Sequence, residues 1–459
     1  MKTAERMKGI ADEPQYSIGL LDSCTALCDV IDNHIYEHSL SKKNAFFVAD
    51  LGVLVRQHVL WQTHMAQIRP FYPVRCNNSP AIIEVLAALG TGFLCANKSE
   101  LELVQSHGIP PEDIIYSGVC KQVSQIKYAA KNGIDLLVCD NEAELRKIAR
   151  SNTNAKLLLQ VSSETSYEDE MSMAFGCSLK DCRHLLESAK ELGVQVVGVR
   201  CHISNTCGDD DDDVYIHAIS DARCVFDMGE DIGFDMKILD IGCFGSPVIQ
   251  LDKISNAVMS MVELYFPPSS GVSLIAEPGS YFVSSAFTLA VNIISREMIA
   301  LRGQQDEDHD VPSPNDLPAF QYYMNEGIYG PFAGKLTEIQ IATPSVHKST
   351  TPDAPVFCSS LWGPSGDDMD QIVEHCLLPE LNVGDWLLFA NAGAYSLGQP
   401  VCSEPHESST PPVFYVISSR EWFEMQDTGV SQEATLKNFC LIPYFSNSCQ
   451  TAAALSVPA

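Results

Sequence analysis

The run from Pro70 to Pro80, PFYPVRCNNSP, carries an apolar strand straight into a polar cluster and then into the helix-forming stretch Ala81 to Ala88. At such a junction a barrel enzyme presents a reactive side chain, because the C-terminal ends of barrel strands open onto the active-site loops. The side chain presented here is Arg75. A guanidinium has a pKa above ~12 and stays protonated, so it cannot act as the neutral primary amine that Schiff-base chemistry needs. A second candidate is the turn Ile241-Gly242-Cys243-Phe244-Gly245-Ser246, since glycine lets backbone N–H groups approach a phosphate. The acidic run GDDDDD at 208–213 lacks the spaced ligands and glycine turn of a calcium loop and reads as an exposed acidic loop. The 17 cysteines include no CxxC pair, and the loose spacings Cys24/Cys28 and Cys177/Cys182 make a weak zinc signal. Buried, reduced thiols and no metal are expected.

Positioning these residues takes a regular scaffold. Between Pro70 and Gly279 short apolar strands alternate with amphipathic helices such as SLKDCRHLLESAKELG, which carries apolar letters at helical spacing, a late lysine and a closing glycine. The strands expected are Phe71 to Val74, Gly92 to Ala96, Ile114 to Gly118, Asp135 to Asp140, Lys156 to Val161, Val196 to Ile203, Lys237 to Gly242 and Ser273 to Gly279. Eight β/α units predict a (β/α)8 barrel, with a doubly wound open sheet as the rival. After Ser284 the pattern changes to strand-like runs, FTLAVNII, FQYYMNEG, APVFCSS, DWLLFAN and PPVFYVISS, which predict a β-domain. The domains expected are a segment 1–44 joining the β-domain, a barrel over 45–283 and a β-sandwich domain over 284–459. Within the last, the charged, proline-rich stretch 303–318 is expected to be a disordered loop and the C-terminus a flexible tail.

The chain has 459 residues, 46% of them hydrophobic, enough for two domains and a sizeable core. Its formal charge of −30 argues against nucleic acid and anionic membranes as partners. There is no uninterrupted apolar run of about 18 residues and no h-region in MKTAERMKGIADEP, so neither a span nor a signal peptide is expected. A cytoplasmic location follows, with a nuclear pool left open.

PFYPVRCN closely resembles the PFYAVKCN signature of the ornithine decarboxylase family, whose lysine forms the Schiff base with pyridoxal phosphate. Long matching segments from Met7 onward, among them KNAFFVADLG, SDARCVFDMG, EPGSYFVSSAFTLAVNII and LLPELNVGDWL, extend the resemblance over nearly the whole chain. The resemblance implies a (β/α)8 barrel with a C-terminal β-sandwich, and it implies that the cofactor site is degenerate. Arg75 replaces the lysine, Leu94 an aspartate, Gln160 a cofactor-side arginine, Asn205 a serine and Ser280 the phosphate-binding arginine, while IGCFGS stands for GGGF. Gly366 replaces a substrate-side cysteine and Glu338 a substrate-binding aspartate. His202, Glu277, Asp367 and Tyr395 survive and are read as structural relics. Loss of pyridoxal phosphate binding and of catalysis is the expectation. The lysine of the family's dimer interface aligns with Ala174 while its partner remains as Asp370, so a monomer or weak homodimer is expected.

The segment from Cys120 to Asn132 reads as a helix with Val123, Ile126 and Ala130 toward the barrel and Lys121, Lys127 and Lys131 toward solvent; NEAELRKIAR adds Arg146, Lys147 and Arg150. By composition this is a solvated helix face. The resemblance implies that it is the family's antizyme-binding element, with Gln122, Gln125 and Tyr128 among its contacts. The function implied is non-catalytic: the chain occupies antizyme, frees ornithine decarboxylase from inhibition and degradation, and raises polyamine synthesis and uptake. The tail CQTAAALSVPA does not resemble the decarboxylase tail used in antizyme-driven degradation, which points to another turnover route. Two alternatives stay open: a pyridoxal phosphate decarboxylase of altered substrate, with Lys98 as its amine, and a barrel that binds some other partner.

Overall fold

The computed structural model describes residues 16–40, 44–118, 120–162, 176–203, 212–244, 251–301, 317–337, 341–347, 354–397, 410–427 and 439–444. Eight strands, Ile68–Pro73, Gly92–Cys95, Ile114–Tyr116, Leu136–Cys139, Lys156–Ser162, Gln195–His202, Ile238–Cys243 and Ser273–Glu277, pair in parallel in chain order and close last onto first. Closure excludes the open doubly wound sheet. Each expected strand is present to within a few residues, because a strand buried on both faces leaves a short apolar run in the sequence.

Alternation along these strands sorts the barrel interior into layers. Phe71, Leu94, Ile115, Val138, Leu158 and Ile275 form a buried apolar plug. Toward the C-terminal ends lie Gln160, Arg200, Asp240 and Glu277, all buried. The helices outside are held by local chemistry. Asn97 and Asn141 each cap a helix, accepting the backbone N–H of Glu100 (3.0 Å) and of Glu144 (2.9 Å), and Glu100 reaches back to the N–H of Ala96 at 2.6 Å.

The second unit is a ten-stranded mixed sheet whose two leaves share the long strand Phe287–Leu301. Tyr16–Leu21 runs parallel to both Val413–Ser418 and Phe439–Pro443, so the start of the described chain is built into this sheet. Phe46–Asp50 also lies here, between Phe287–Leu301 and Val413–Ser418, although it falls inside the stretch expected for the barrel, whose first strand begins at Ile68. A separate core of Leu21, Val30, Ile31, Phe46, Val48 and Trp386, among others, fills the space under helix Leu27–Leu40.

Two loop expectations shift at their edges. Leu317 and Pro318 open strand Leu317–Met324, so the expected loop 303–318 stops short of them, and its remainder lies outside the described residues. Asp212 and Asp213 open helix Asp212–Ile232 rather than ending a loop. Among the described residues no helix is long and apolar enough to cross a membrane, and no group of three or more metal-ligating side chains occurs.

Candidate functional site

Arg75 is exposed in a single 3-10 turn, Val74–Cys76, directly after the first barrel strand. A loop of the sheet domain is pinned over that strand end: Tyr395 donates its backbone N–H to Cys76 O at 2.7 Å, and the Asn77 amide donates to Gly393 O at 2.9 Å. Gly393 is required there, since a Cβ would collide with the Val283 carbonyl oxygen. Tyr395 itself holds a left-handed backbone, φ 56°. Ser280 is buried with its hydroxyl 3.9 Å from the Cys76 thiol, and burial pushes that thiol up to about 12.

Below this rim lies a residue that the sequence analysis did not single out. Arg200 stands two positions before His202, on the same inward face of strand Gln195–His202. Its guanidinium forks onto Glu277, with Nη2 donating to Oε2 at 2.7 Å and Nε donating to Oε1, while Nη1 donates to the Gln160 side chain. Asp240, fully buried, has Oδ2 3.8 Å from Arg200 Nε and accepts the Gly242 N–H on Oδ1 at 3.0 Å. Burial favours a neutral Glu277, but the Arg200 charge and hydrogen bonds outweigh it and hold the carboxyl below its ordinary range. Asp240 is pushed well above that range by burial and by the negative charge of Glu277. Among the described residues Asp240 Oδ2 has no hydrogen-bond partner, so burial disfavours a charge on this carboxyl. Burial and the Arg200 cation lower His202 to about 4, so its imidazole is neutral at pH 7.

The other expected cofactor positions are spread around this cluster. Leu94 has joined the apolar plug. Gln160 is a partner of Arg200, and both oxygens of Glu277 are engaged by the same side chain. Ile241, Gly242 and Cys243 close their strand and buried Phe244 follows it, while Gly245, Ser246, Asn205 and Glu338 lie outside the described residues. Gly366 is in open space with φ 72°; beside it, exposed Asp367 accepts the Tyr329 hydroxyl and the Met369 N–H (3.1 Å). Lys98 is half-exposed on the outer helix, where its amine is engaged 3.1 Å from Glu102 and over the Tyr128 ring at 5.0 Å.

Asp370, expected to have lost an intersubunit lysine, makes hydrogen bonds within its own chain. It is buried and accepts the Ile328 N–H at 2.7 Å, the Ser365 N–H at 3.0 Å and the Ser365 hydroxyl at 2.6 Å. Ala174 lies outside the described residues.

The basic helix face differs from its expected form. Lys121 is buried rather than solvent-facing, its ammonium donating to Gly118 O at 2.6 Å and Val138 O at 2.5 Å, with burial lowering its pKa. The helix begins only at Val123, so helical periodicity does not extend to Lys121. Val123 is 44% exposed, and Ala129 takes the buried place expected for Ala130, while Ile126 is buried as its spacing requires. Lys127 and Lys131 are exposed, as are Gln122 and Arg150. Gln125 accepts the Tyr116 hydroxyl at 3.0 Å, and half-buried Tyr128 donates to Gln105 at 3.1 Å. Arg146 pairs with Glu142 at 2.6 Å and Lys147 with buried Glu144. Residues 98–156 hold eight basic and eight acidic residues, a neutral island in a chain of charge −30.

An eight-stranded parallel barrel with a separate mixed sheet is the architecture of the pyridoxal-phosphate-dependent decarboxylases. The family model described as "Pyridoxal-dependent decarboxylase, pyridoxal binding domain" matches residues 51–284, and the chain belongs to that family, in the branch that holds ornithine decarboxylase and the antizyme inhibitors. It is 53% identical to antizyme inhibitor 1 of Pongo abelii, over 95% of this chain and 97% of that protein. It is 43% identical to ornithine decarboxylase of Rattus norvegicus over 90% of each, and 41% identical to antizyme inhibitor 2 of Xenopus laevis over 95% and 94%. Among solved structures, the arginine decarboxylase of Paramecium bursaria Chlorella virus bound to agmatine superposes with a TM-score of 0.73 at 26% identity, covering 85% of this chain and 100% of that one.

Proposed function

We propose that this chain performs no chemistry and acts as an antizyme inhibitor: it binds antizyme, releases ornithine decarboxylase from it and so raises polyamine synthesis and uptake. One observation carries the non-catalytic half. The residues at the strand ends do not fit pyridoxal phosphate, because Arg75 cannot form the imine and Arg200 already engages both oxygens of the carboxylate meant for the pyridine nitrogen. Ser280 removes a further charged donor, and each such bond lost is worth ~1.5–3 kcal/mol.

The antizyme surface is assigned to Gln122, Gln125, Lys127, Tyr128, Lys131, Arg146, Lys147 and Arg150. Lys121 supports it from beneath. Within it, Lys127 and Lys131 carry the charge most available to a partner, since Arg146 and Lys147 are paired on their own helix. The protein works in the cytoplasm as a monomer or weak homodimer; the internal hydrogen bonds of Asp370 remove its need for an intersubunit lysine.

The test is competition, with antizyme preloaded with ornithine decarboxylase and recovered decarboxylase activity as the readout. Wild type restores activity, and Lys127→Glu with Lys131→Glu does so about tenfold less well, the gap widening at low salt. A double variant that competes as well as wild type moves the surface elsewhere. A wild type that never competes ends the reading.

A further inference from the structure

Cys177 and Cys182 are reduced and buried, and they bracket the start of helix Leu179–Glu191, whose N-cap is Ser178. Cys177 stands just before the cap and Cys182 at the fourth helical position, the two places whose side chains pack against each other across a helix start. Both thiols donate to one acceptor, the Ser178 carbonyl oxygen, Cys177 Sγ at 3.5 Å and Cys182 Sγ at 3.2 Å. They are also hydrogen-bonded to each other, which holds the Cys177 thiol below its ordinary range and pushes Cys182 above it. Cys177 is tied to the barrel as well: its N–H donates to Gln160 O at 2.8 Å, and its carbonyl accepts the Ser162 N–H at 3.1 Å. Among the described residues no group of three metal-ligating side chains occurs, so the two sulfurs make a pair and not part of a zinc site.

We infer that Cys177 and Cys182 form a redox-sensitive pair, closed to a disulfide by hydrogen peroxide and reopened by a dithiol. Thiols in contact across so short a loop escape the distance limit that rules out most cysteine pairs. Cys177 is the attacking sulfur, since it retains 6% exposure and Cys182 none. Its thiolate attacks one peroxide oxygen; the O–O bond breaks, a sulfenic acid forms on Cys177, and hydroxide leaves. Cys182 passes its proton to that hydroxide and attacks the Cys177 sulfur, breaking the S–O bond. The sum is two thiols and one peroxide giving one disulfide and two waters, the sulfurs losing the two electrons that the peroxide gains. A dithiol reverses the bond and leaves as its own disulfide. The closed form ties the first turn of helix Leu179–Glu191 covalently to the residue that hydrogen-bonds strand Lys156–Ser162.

Lys180 lies between the two cysteines, so trypsin places Cys177 in peptide 157–180 and Cys182 in peptide 181–183. The full-length protein is treated with hydrogen peroxide, its remaining thiols are blocked with N-ethylmaleimide after denaturation, and the digest is read by mass spectrometry. The two peptides are expected as one disulfide-linked species that dithiothreitol separates. Cys177 is expected to react about tenfold faster than Cys139, a thiol that burial raises to about 11. In Cys182→Ser the linked species is absent and Cys177 goes on to sulfinic acid; if that variant fails to fold by circular dichroism, Cys177→Ala is used, and Cys182 stays reduced. The inference is overturned if the wild-type peptides stay separate once exposed Cys24, Cys28 and Cys120 are oxidised. It is equally overturned if Cys177 or Cys182 is joined to a different cysteine, or if Cys177 reacts no faster than Cys139.

Discussion

Replacing Arg200 by Met removes the cation that holds Glu277 and leaves two buried carboxyl groups facing one another. Breaking one side of a buried pair costs ~3–5 kcal/mol, most of it the penalty of the charge left behind. A loss of that size is expected at pH 7 in urea unfolding, read as a lower midpoint at unchanged slope. Adding Glu277→Gln removes the stranded charge, so the double variant recovers most of the loss. The pH dependence fixes the cause. In the wild type Glu277 is depressed, so its contribution is present above the ordinary carboxylate pKa and is lost as pH falls through the folded value. In the variant the carboxyl is raised, and its contribution is present in acid and lost as pH rises. The gap between the two proteins must therefore narrow from pH 8 to pH 5. A loss below about 1 kcal/mol, an equal loss in the double variant, or a gap that widens in acid refutes the reasoning.

Two further outcomes are expected. Arg75→Lys alone restores no release of carbon dioxide from ornithine, because Leu94 in the plug and Arg200 on Glu277 are separate obstacles; turnover above a heat-killed control refutes this. Burial raises Glu326 to about 7, so its contribution to stability is present below the ordinary carboxylate pKa and is lost as pH rises through about 7. Glu326→Gln is expected to be more stable than wild type by ~2 kcal/mol at pH 8 and to match it near pH 4.5, and equal stability of the two at pH 8 counts against it.

The barrel was legible because each strand is a self-contained apolar run between turn signals. Phe46–Asp50 was not named as a strand and fell within the span 45–283 given to the barrel, since an apolar run says nothing about which sheet it joins when its partners lie hundreds of residues away. Tyr16–Leu21 and Phe439–Pro443 were not named as strands, and only their pairing with one another makes them so. At the site, Arg75 was visible as a replacement. Arg200 was passed over because attention went to positions read as replaced, yet a lone arginine in VVGVRCHI, two residues before an inward histidine, was a detectable signal. Lys121 was misassigned because helical spacing was carried past the start of its helix. The internal partners of Asp370 were not foreseen: its three donors come from Ile328 and Ser365, and only the folded loops bring them together.

Leu94 has a consequence for abundance. An enzyme that binds its cofactor only when folded gains stability as RT ln(1 + [L]/Kd), so the amount of folded protein follows vitamin supply. Here an apolar side chain completes the interior, and an internal arginine takes the carboxylate. On the proposed reading that no such ligand enters the folding equilibrium, the pool available to a partner is set by synthesis and turnover, and a cell short of pyridoxal is expected to keep the same amount of it.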